Sequence, residues 1–205
     1  MECGIMKVLV GCEWSGVVRE AFKKKGHYAI SCDLLPTEIP GNHYQGDIME
    51  FLDIYKKDFD LMIVFPPCTY LTVAGNRHFK NNPKRWEKRL VAIKFVHKLL
   101  NTDIPKIALE NPKGVITSHI RKADQYIQPW QFGHPEPKMT GLWLKNLPLL
   151  KPTEIVEPIH LEYNSMRTKS GKSRYGPMWA LGKGHGKERG KTYEGIAAAM
   201  AEQWG

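Results

Sequence analysis

Hydrophobic positions in the first half of the chain alternate between short continuous apolar runs and stretches where they recur every three or four residues. Met6-Lys7-Val8-Leu9-Val10 has the pattern of a buried strand ending at Gly11, and Cys12-Glu13-Trp14-Ser15-Gly16 reads as a turn. Val17, Val18, Ala21 and Phe22 follow at helical spacing, with Arg19, Glu20 and Lys23-Lys24-Lys25 on the other side and Gly26 placed as a left-handed stop. Tyr28-Ala29-Ile30-Ser31-Cys32 predicts a second strand that delivers Asp33 at its C-terminal end. A short helix is expected over 49–55 and a third strand over 61–65. The longest helix is expected over 84–100, with Leu90, Ile93, Val96, His97 and Leu100 on one stripe. A fourth strand over 106–109 leads into Glu110-Asn111-Pro112. This β-α-β-α alternation predicts an α/β fold with a parallel sheet covered on both faces.

Beyond about residue 128 the periodicity weakens. Trp143-Leu144 and Leu149-Leu150 read as short strands, 164–191 is polar, basic and glycine-rich with a loop at 182–187, and 196–204 is an alanine-rich helix. No internal repeat and no linker interrupts the chain. We therefore expect one domain over 1–205: a core over 1–127, a small insertion or recognition region over 128–191, and a closing helix over 192–205.

Charge then narrows the partners. Thirty Lys and Arg against 21 Asp and Glu give a formal net charge of +9, which favours a polyanion. The four cysteines, Cys3, Cys12, Cys32 and Cys68, make no C-x-x-C pair, and the eight histidines form no metal-binding motif, so no metal is expected. No apolar run approaches the ~18 residues of a membrane span, and Met1-Glu2-Cys3-Gly4 lacks a signal-peptide pattern. A reducing, cytoplasmic setting without a membrane partner is the expectation.

Open α/β sheets bind ligands beyond the carboxyl ends of their strands. Four features fall there: the Gly11–Gly16 turn, Asp33, Cys68 after Phe65-Pro66-Pro67, and Glu110. A glycine-bearing turn at a helix N-terminus can meet an anionic group, and an acid ending the second strand can accept ribose hydroxyls. A thiol and a carboxylate leaving neighbouring strands can face one small planar substrate. Each residue alone has an ordinary reading: a strand-end cysteine packs as a small apolar group, and Glu110 beside Pro112 or Asp33 in a loop can simply cap or turn the chain. Their order along the chain argues for chemistry.

With Phe65-Pro66-Pro67-Cys68 and Glu110-Asn111 in that order, the chain resembles the DNA cytosine-5 methyltransferases, as a compact, phage-type member without a large target-recognition domain. The resemblance implies a Rossmann-like fold that binds S-adenosyl-L-methionine, and it covers roughly 1–120. By position, Gly11, Cys12, Glu13, Trp14, Ser15 and Gly16 would form the cofactor's methionine loop, with Pro66 beside it. Asp33 would take the ribose hydroxyls, Leu34 would lie against adenine, and Asp47 and Ile48 would meet its amino edge. Cys68 would be the nucleophile, and Glu110 with Asn111 would hold the flipped cytosine. The family's Gln-x-Arg-x-Arg element is missing, and Tyr193-Glu194-Gly195-Ile196-Ala197 only faintly matches its closing motif.

The resemblance implies methyl transfer to C5 of cytosine in double-stranded DNA through a covalent bond between Cys68 and C6. Arg77, Lys80, Lys84 and Arg85, and the later Lys169, Lys172, Arg174, Lys187 and Arg189, are candidate phosphate contacts. RNA or a free pyrimidine nucleotide as acceptor, and a fold repurposed for binding without turnover, are the alternatives.

Overall fold

A computed structural model describes residues 4–159 and 190–205. Its strands are β1 (Lys7–Gly11), β2 (Tyr28–Asp33), β3 (His43–Gln45), β4 (Leu61–Val64), β5 (Lys106–Pro112), β6 (Gln125–Ile127) and β7 (Thr140–Lys145). The helices are α1 (Val17–Lys24), α2 (Ile48–Tyr55), α3 (Pro83–Leu100), α4 (Ile116–His119) and α5 (Glu194–Trp204). One seven-stranded sheet runs β3-β2-β1-β4-β5-β7-β6. Strands β1 to β5 are parallel, and β7 lies antiparallel between β5 and β6. The strand order reverses between β1 and β4, where a Rossmann-like sheet opens its ligand crevice.

The continuous apolar runs arise because the central strands are covered on both faces. Alternate residues Val8, Val10, Leu61, Ile63 and Ala108 face α1 and α5, packing with Val18, Phe22, Met200 and Trp204. Leu9, Met62, Val64, Ile107 and Leu109 face the other way, with Phe51, Leu52, Val96 and Leu99. Burying a side chain of the size of Phe22, which is wholly inaccessible, contributes about 2–3 kcal/mol. Helix starts follow local chemistry. Asp47 caps α2 by accepting from the Met49 N–H at 2.6 Å, and Asn82 caps α3 by accepting from the Arg85 N–H at 3.1 Å, with Pro83 in the first turn.

Several expectations need adjustment. The buried side of α3 is Arg89, Val96 and Leu99, whereas Leu90 and His97 from the expected stripe are exposed. Leu149-Leu150 is not a strand: Leu150 is buried as a plug whose N–H and carbonyl are both bound by the Gln125 side chain. Trp143-Leu144 belongs to β7, so part of the expected insertion region completes the central sheet. The stretch 182–187 and most of 164–191 lie outside the described residues.

Arg19 departs furthest from its expected solvent-facing place. It is entirely buried beneath the chain that links β2 to β3, donating to the Ser31 hydroxyl at 2.9 Å, the Thr37 hydroxyl at 3.2 Å and the Ile39 carbonyl, and pairing with Glu20 at 2.8 Å. One guanidinium thereby satisfies polar groups that no backbone ladder reaches. The Ser31 hydroxyl also meets His43, and the Ile39 carbonyl also accepts from Thr37, so Arg19→Met removes the shared hub and leaves these groups a second partner. It is expected to cost about 2 kcal/mol in urea unfolding; a loss below about 0.5 kcal/mol would show the contacts to be incidental.

Candidate active site

Strand register sets the level of the site. Gly11 pairs with Cys32 on one side and Val64 on the other, and Val64 pairs with Leu109. Consequently Cys12, Asp33, Phe65 and Glu110 are all the next residue out, at one height along the carboxyl edge of the sheet. A cavity of about 360 Å³ opens there, and Cys12, Trp14, Asp33, Pro66, Cys68, Glu110 and Asn111 all line it.

The cysteine loop is held from two sides. Asn111, 1% exposed at the end of β5, donates from Nδ2 to the Pro66 carbonyl at 2.7 Å. Cys68 closes a tight turn, its carbonyl accepting from the Leu71 and Thr72 N–H groups at 2.9 and 3.0 Å. The next residues run against the chain after β5: the Val115 N–H donates to the Leu71 carbonyl at 2.8 Å. A Cβ on Gly114 would come within 2.1 Å of that same oxygen, so only glycine allows the two loops to touch. Rigid support for a strand-end thiol comes from this lacing as well as from Pro66-Pro67.

Glu110 sits opposite. Desolvation raises its carboxyl above the usual range, while the ammonium of Lys138 and the Thr140 hydroxyl, which donates to Oε1, pull it back. Thr140 is brought there by the antiparallel pairing of β7 with β5, where it lies opposite Pro112, diagonal to Glu110. Lys138 and Tyr193 line the same cavity, with the Lys138 ammonium 5.4 Å from the Tyr193 ring centroid. Burial, followed by the charge of Glu136, pushes the Tyr193 phenol up to about 12. Neither Lys138 nor Thr140 was singled out from the sequence, because an antiparallel return strand has no spacing signal that points to its partner.

The Gly11–Gly16 turn is built differently from the simple anion cradle expected of it. Gly16 precedes α1 at φ 81°, a left-handed conformation suited to glycine. The helix's Val17 N–H is already bound, by the Glu13 carboxylate at 3.0 Å and the Ser15 hydroxyl at 3.3 Å, and the two side chains also bond each other. Glu13 and Ser15 are buried, at 4% and 3% exposure, and burial raises the Glu13 carboxyl. These two residues shape the turn from inside, and Gly11 gives room to the Ile48 side chain. Cys12 and Trp14 are the turn's contributions to the cavity. Burial and the charge of Asp33 keep the Cys12 thiol well above its ordinary range, which leaves it protonated.

A second cavity of about 400 Å³ adjoins the first and shares Cys12, Asp33 and Pro67 with it. Leu34, Asp47 and Ile48 line one side, and Tyr70, Ala92 and Phe95 the other. Asp33 Oδ1 accepts from the Leu35 N–H at 2.9 Å, which fixes the carboxylate at the junction. Asp47 serves this cavity as well as capping α2. Asp33 thus stands between two neighbouring spaces, one lined by the cysteine loop and the other by Leu34, Asp47 and Ile48.

Arg77, Lys80 and Lys84 are exposed beside the cysteine loop. Arg85 is turned inward instead: its guanidinium lies 5.0 Å from both the Tyr70 and Phe79 ring centroids. Lys169, Lys172, Arg174, Lys187 and Arg189 lie outside the described residues. Among the described residues no helix is long and apolar enough to cross a membrane, and no group of His, Cys, Asp or Glu is arranged to hold a metal ion.

No model of a known protein family matches the sequence, and no curated protein matches it significantly. Among solved structures, the chain is similar to one described as a DNA modification methyltransferase encoded within an E. coli prophage, with 15% identity and a TM-score of 0.49 over 74% of this chain and 52% of that one. It is also similar to the S. pombe Dnmt2 methyltransferase, with 15% identity and a TM-score of 0.46 over 76% of this chain and 52% of that one. The chain thus spans about half the length of either structure.

The raised carboxyl of Glu110 has a measurable consequence. The folded protein holds that proton more tightly than the unfolded chain, so ionisation costs stability as pH rises past the unfolded value of about 4.3. Glu110→Gln keeps the shape and cannot ionise. It is expected to raise Tm at about pH 7–8, with the gain vanishing below about pH 4. A gain that instead grew on acidification would reverse the sign assigned to this group.

Proposed function

We propose that the protein is an S-adenosyl-L-methionine-dependent methyltransferase acting on C5 of cytosine in DNA. The observation that carries the proposal is the shared cavity: Cys68 and Glu110 line it together, and Asp33 lines both it and the neighbouring space. The residues present fit the cofactor. Asp33 suits ribose hydroxyls, Leu34 and Ile48 suit an adenine face, Asp47 suits its amino group, and Cys12 and Trp14 suit the methionine end. When bound, S-adenosyl-L-methionine supplies an electrophilic methyl group. Both spaces fall in the volume range of small-molecule sites.

In this reading the Cys68 thiolate adds to C6 of the pyrimidine, forming a carbon–sulfur bond and moving electron density towards C5 and N3. Glu110, whose carboxyl desolvation biases towards its protonated form, would donate to N3 and so accommodate that charge, while its carbonyl oxygen accepts from the exocyclic amine. Once C5 carries the methyl group, loss of its proton to a water-borne base expels the thiolate and restores the ring. A base within a duplex reaches such a cavity only when flipped out, at a cost of a few kcal/mol. The exposed Arg77, Lys80 and Lys84 beside the cysteine loop would meet phosphates, consistent with the net charge of +9.

The test is transfer of tritiated methyl from S-adenosyl-L-methionine to unmethylated double-stranded DNA, with nucleoside analysis of the product and RNA and dCMP as parallel acceptors. Label on 5-methylcytosine from DNA, lost in Cys68→Ala, is the expected result. Label only in RNA or dCMP would move the substrate, and cofactor binding without transfer to any acceptor would favour a binding role. Separately, Asp33→Ala is expected to weaken cofactor binding by about tenfold or more, whereas Cys68→Ala should leave it unchanged by calorimetry. Equal affinity in Asp33→Ala and wild type would remove Asp33 from the cofactor site.

A further inference from the structure

The helix that follows the cysteine loop carries a buried cation with no part in the chemistry above. Arg89 on α3 is 4% exposed, and its guanidinium lies 3.5 Å from the centroid of the Phe79 ring. Nε donates to the Tyr70 carbonyl at 2.8 Å and Nη2 to the Asn76 side-chain oxygen at 2.7 Å. Tyr70, Asn76 and Phe79 mark the beginning, middle and end of the segment 69–79, which starts one residue after Cys68. Arg85, one turn earlier, adds looser contacts: its guanidinium approaches the Tyr70 and Phe79 rings at 5.0 Å, and Nη2 is 3.5 Å from the Thr69 carbonyl.

Burying a guanidinium is costly, and among the described residues Arg89 is compensated by a carbonyl, an amide and aromatic faces, with no carboxylate in the set. A helix that only covered the sheet would carry an apolar residue at this position. What the arginine adds is direction. Its planar fork reaches two separate points of the loop while its face stacks on a third, which no lysine can do. Segment 69–79 is otherwise short of regular structure, with one 3-10 stretch at Val73–His78. The Leu71 and Thr72 N–H groups that grip the Cys68 carbonyl belong to this same segment. Holding the segment therefore holds Cys68.

We propose that Arg89 is the positioning residue for Cys68: a cation–π and hydrogen-bond clamp that fixes segment 69–79, and with it the thiol, before substrate arrives. In its effect on turnover the proposal rests on the methyl-transfer reading. In its effect on the thiol it does not.

The experiment exploits that separation. Iodoacetamide alkylation of each cysteine is followed by peptide mass spectrometry in wild type, Arg89→Lys and Asn76→Ala. Arg89→Lys keeps the charge and removes the fork; Asn76→Ala removes one partner at an exposed side chain and leaves the arginine in place. Loosening the clamp is expected to speed alkylation of the half-buried Cys68 by about fivefold or more in Arg89→Lys, with a smaller rise in Asn76→Ala and unchanged rates at Cys12 and Cys32. With an active acceptor, kcat should fall. Cys68 rates within about twofold of wild type in both variants would overturn the proposal. So would a parallel rise at Cys12 and Cys32 in both, which would mark Arg89 as generally structural. If the methyl-transfer reading fails, the alkylation pattern still decides.

Discussion

Complete burial of the central strands on both faces leaves their polar chemistry one place to go. Val8 to Val10 and Leu61 to Val64 have no accessible surface, so neither sheet face can present a functional group. Because Gly11, Cys32, Val64 and Leu109 are in register, the residues that follow them stand at one level: Cys12 and Phe65 leave the sheet there, while Asp33 ends β2 and Glu110 is still paired with β7. An acid from β2, a thiol loop from β4 and an acid from β5 then converge without any long-range search. The packing energy that folds the domain is the same energy that holds the carboxyl edge in place.

Around that edge, the supports are polar and specific. Asn111 ties the end of β5 to the Pro66 carbonyl, and Gly114 lets the loop after β5 lie against Leu71. Arg89 holds the far side of the same loop from α3. Opposite, Thr140 and Lys138 come from the return strand β7 and the chain before it, and bias the charge of Glu110. Two elements that carry no candidate nucleophile or acid thus determine how the thiol and the carboxyl are presented.

The parts of this arrangement that were legible in the sequence share a short range. Continuous apolar runs located β1, β2 and β4 to within a residue or two, whereas β5 runs three residues past the expected 109, through Glu110 to Pro112, because β7 pairs with it there. Side chains working at a distance were not legible. Arg19 and Arg89 look like solvent-facing positions of amphipathic helices, and only the loops folded over them make them buried. Glu13 and Ser15, which the resemblance implies for the cofactor loop, have a further role that no spacing announced: their oxygens accept from the first N–H of α1. Leu149-Leu150 has the hydrophobicity of a strand, but the side chain of Gln125 on the edge strand β6 takes both the N–H and the carbonyl of Leu150 in place of a ladder.

In the proposed reaction, Cys68 forms a covalent bond to C6 of a cytosine held by Glu110. Its most direct measurement uses duplex DNA containing 5-fluoro-2′-deoxycytidine together with S-adenosyl-L-methionine. Fluorine at C5 cannot leave as the proton does, so elimination of the thiolate is blocked and the adduct persists. The expected result is a denaturation-resistant protein–DNA complex that requires the cofactor, with the cross-link mapped by mass spectrometry to the peptide containing Cys68. Absence of an adduct while DNA and cofactor both bind, or a cross-link at Cys12, would contradict it.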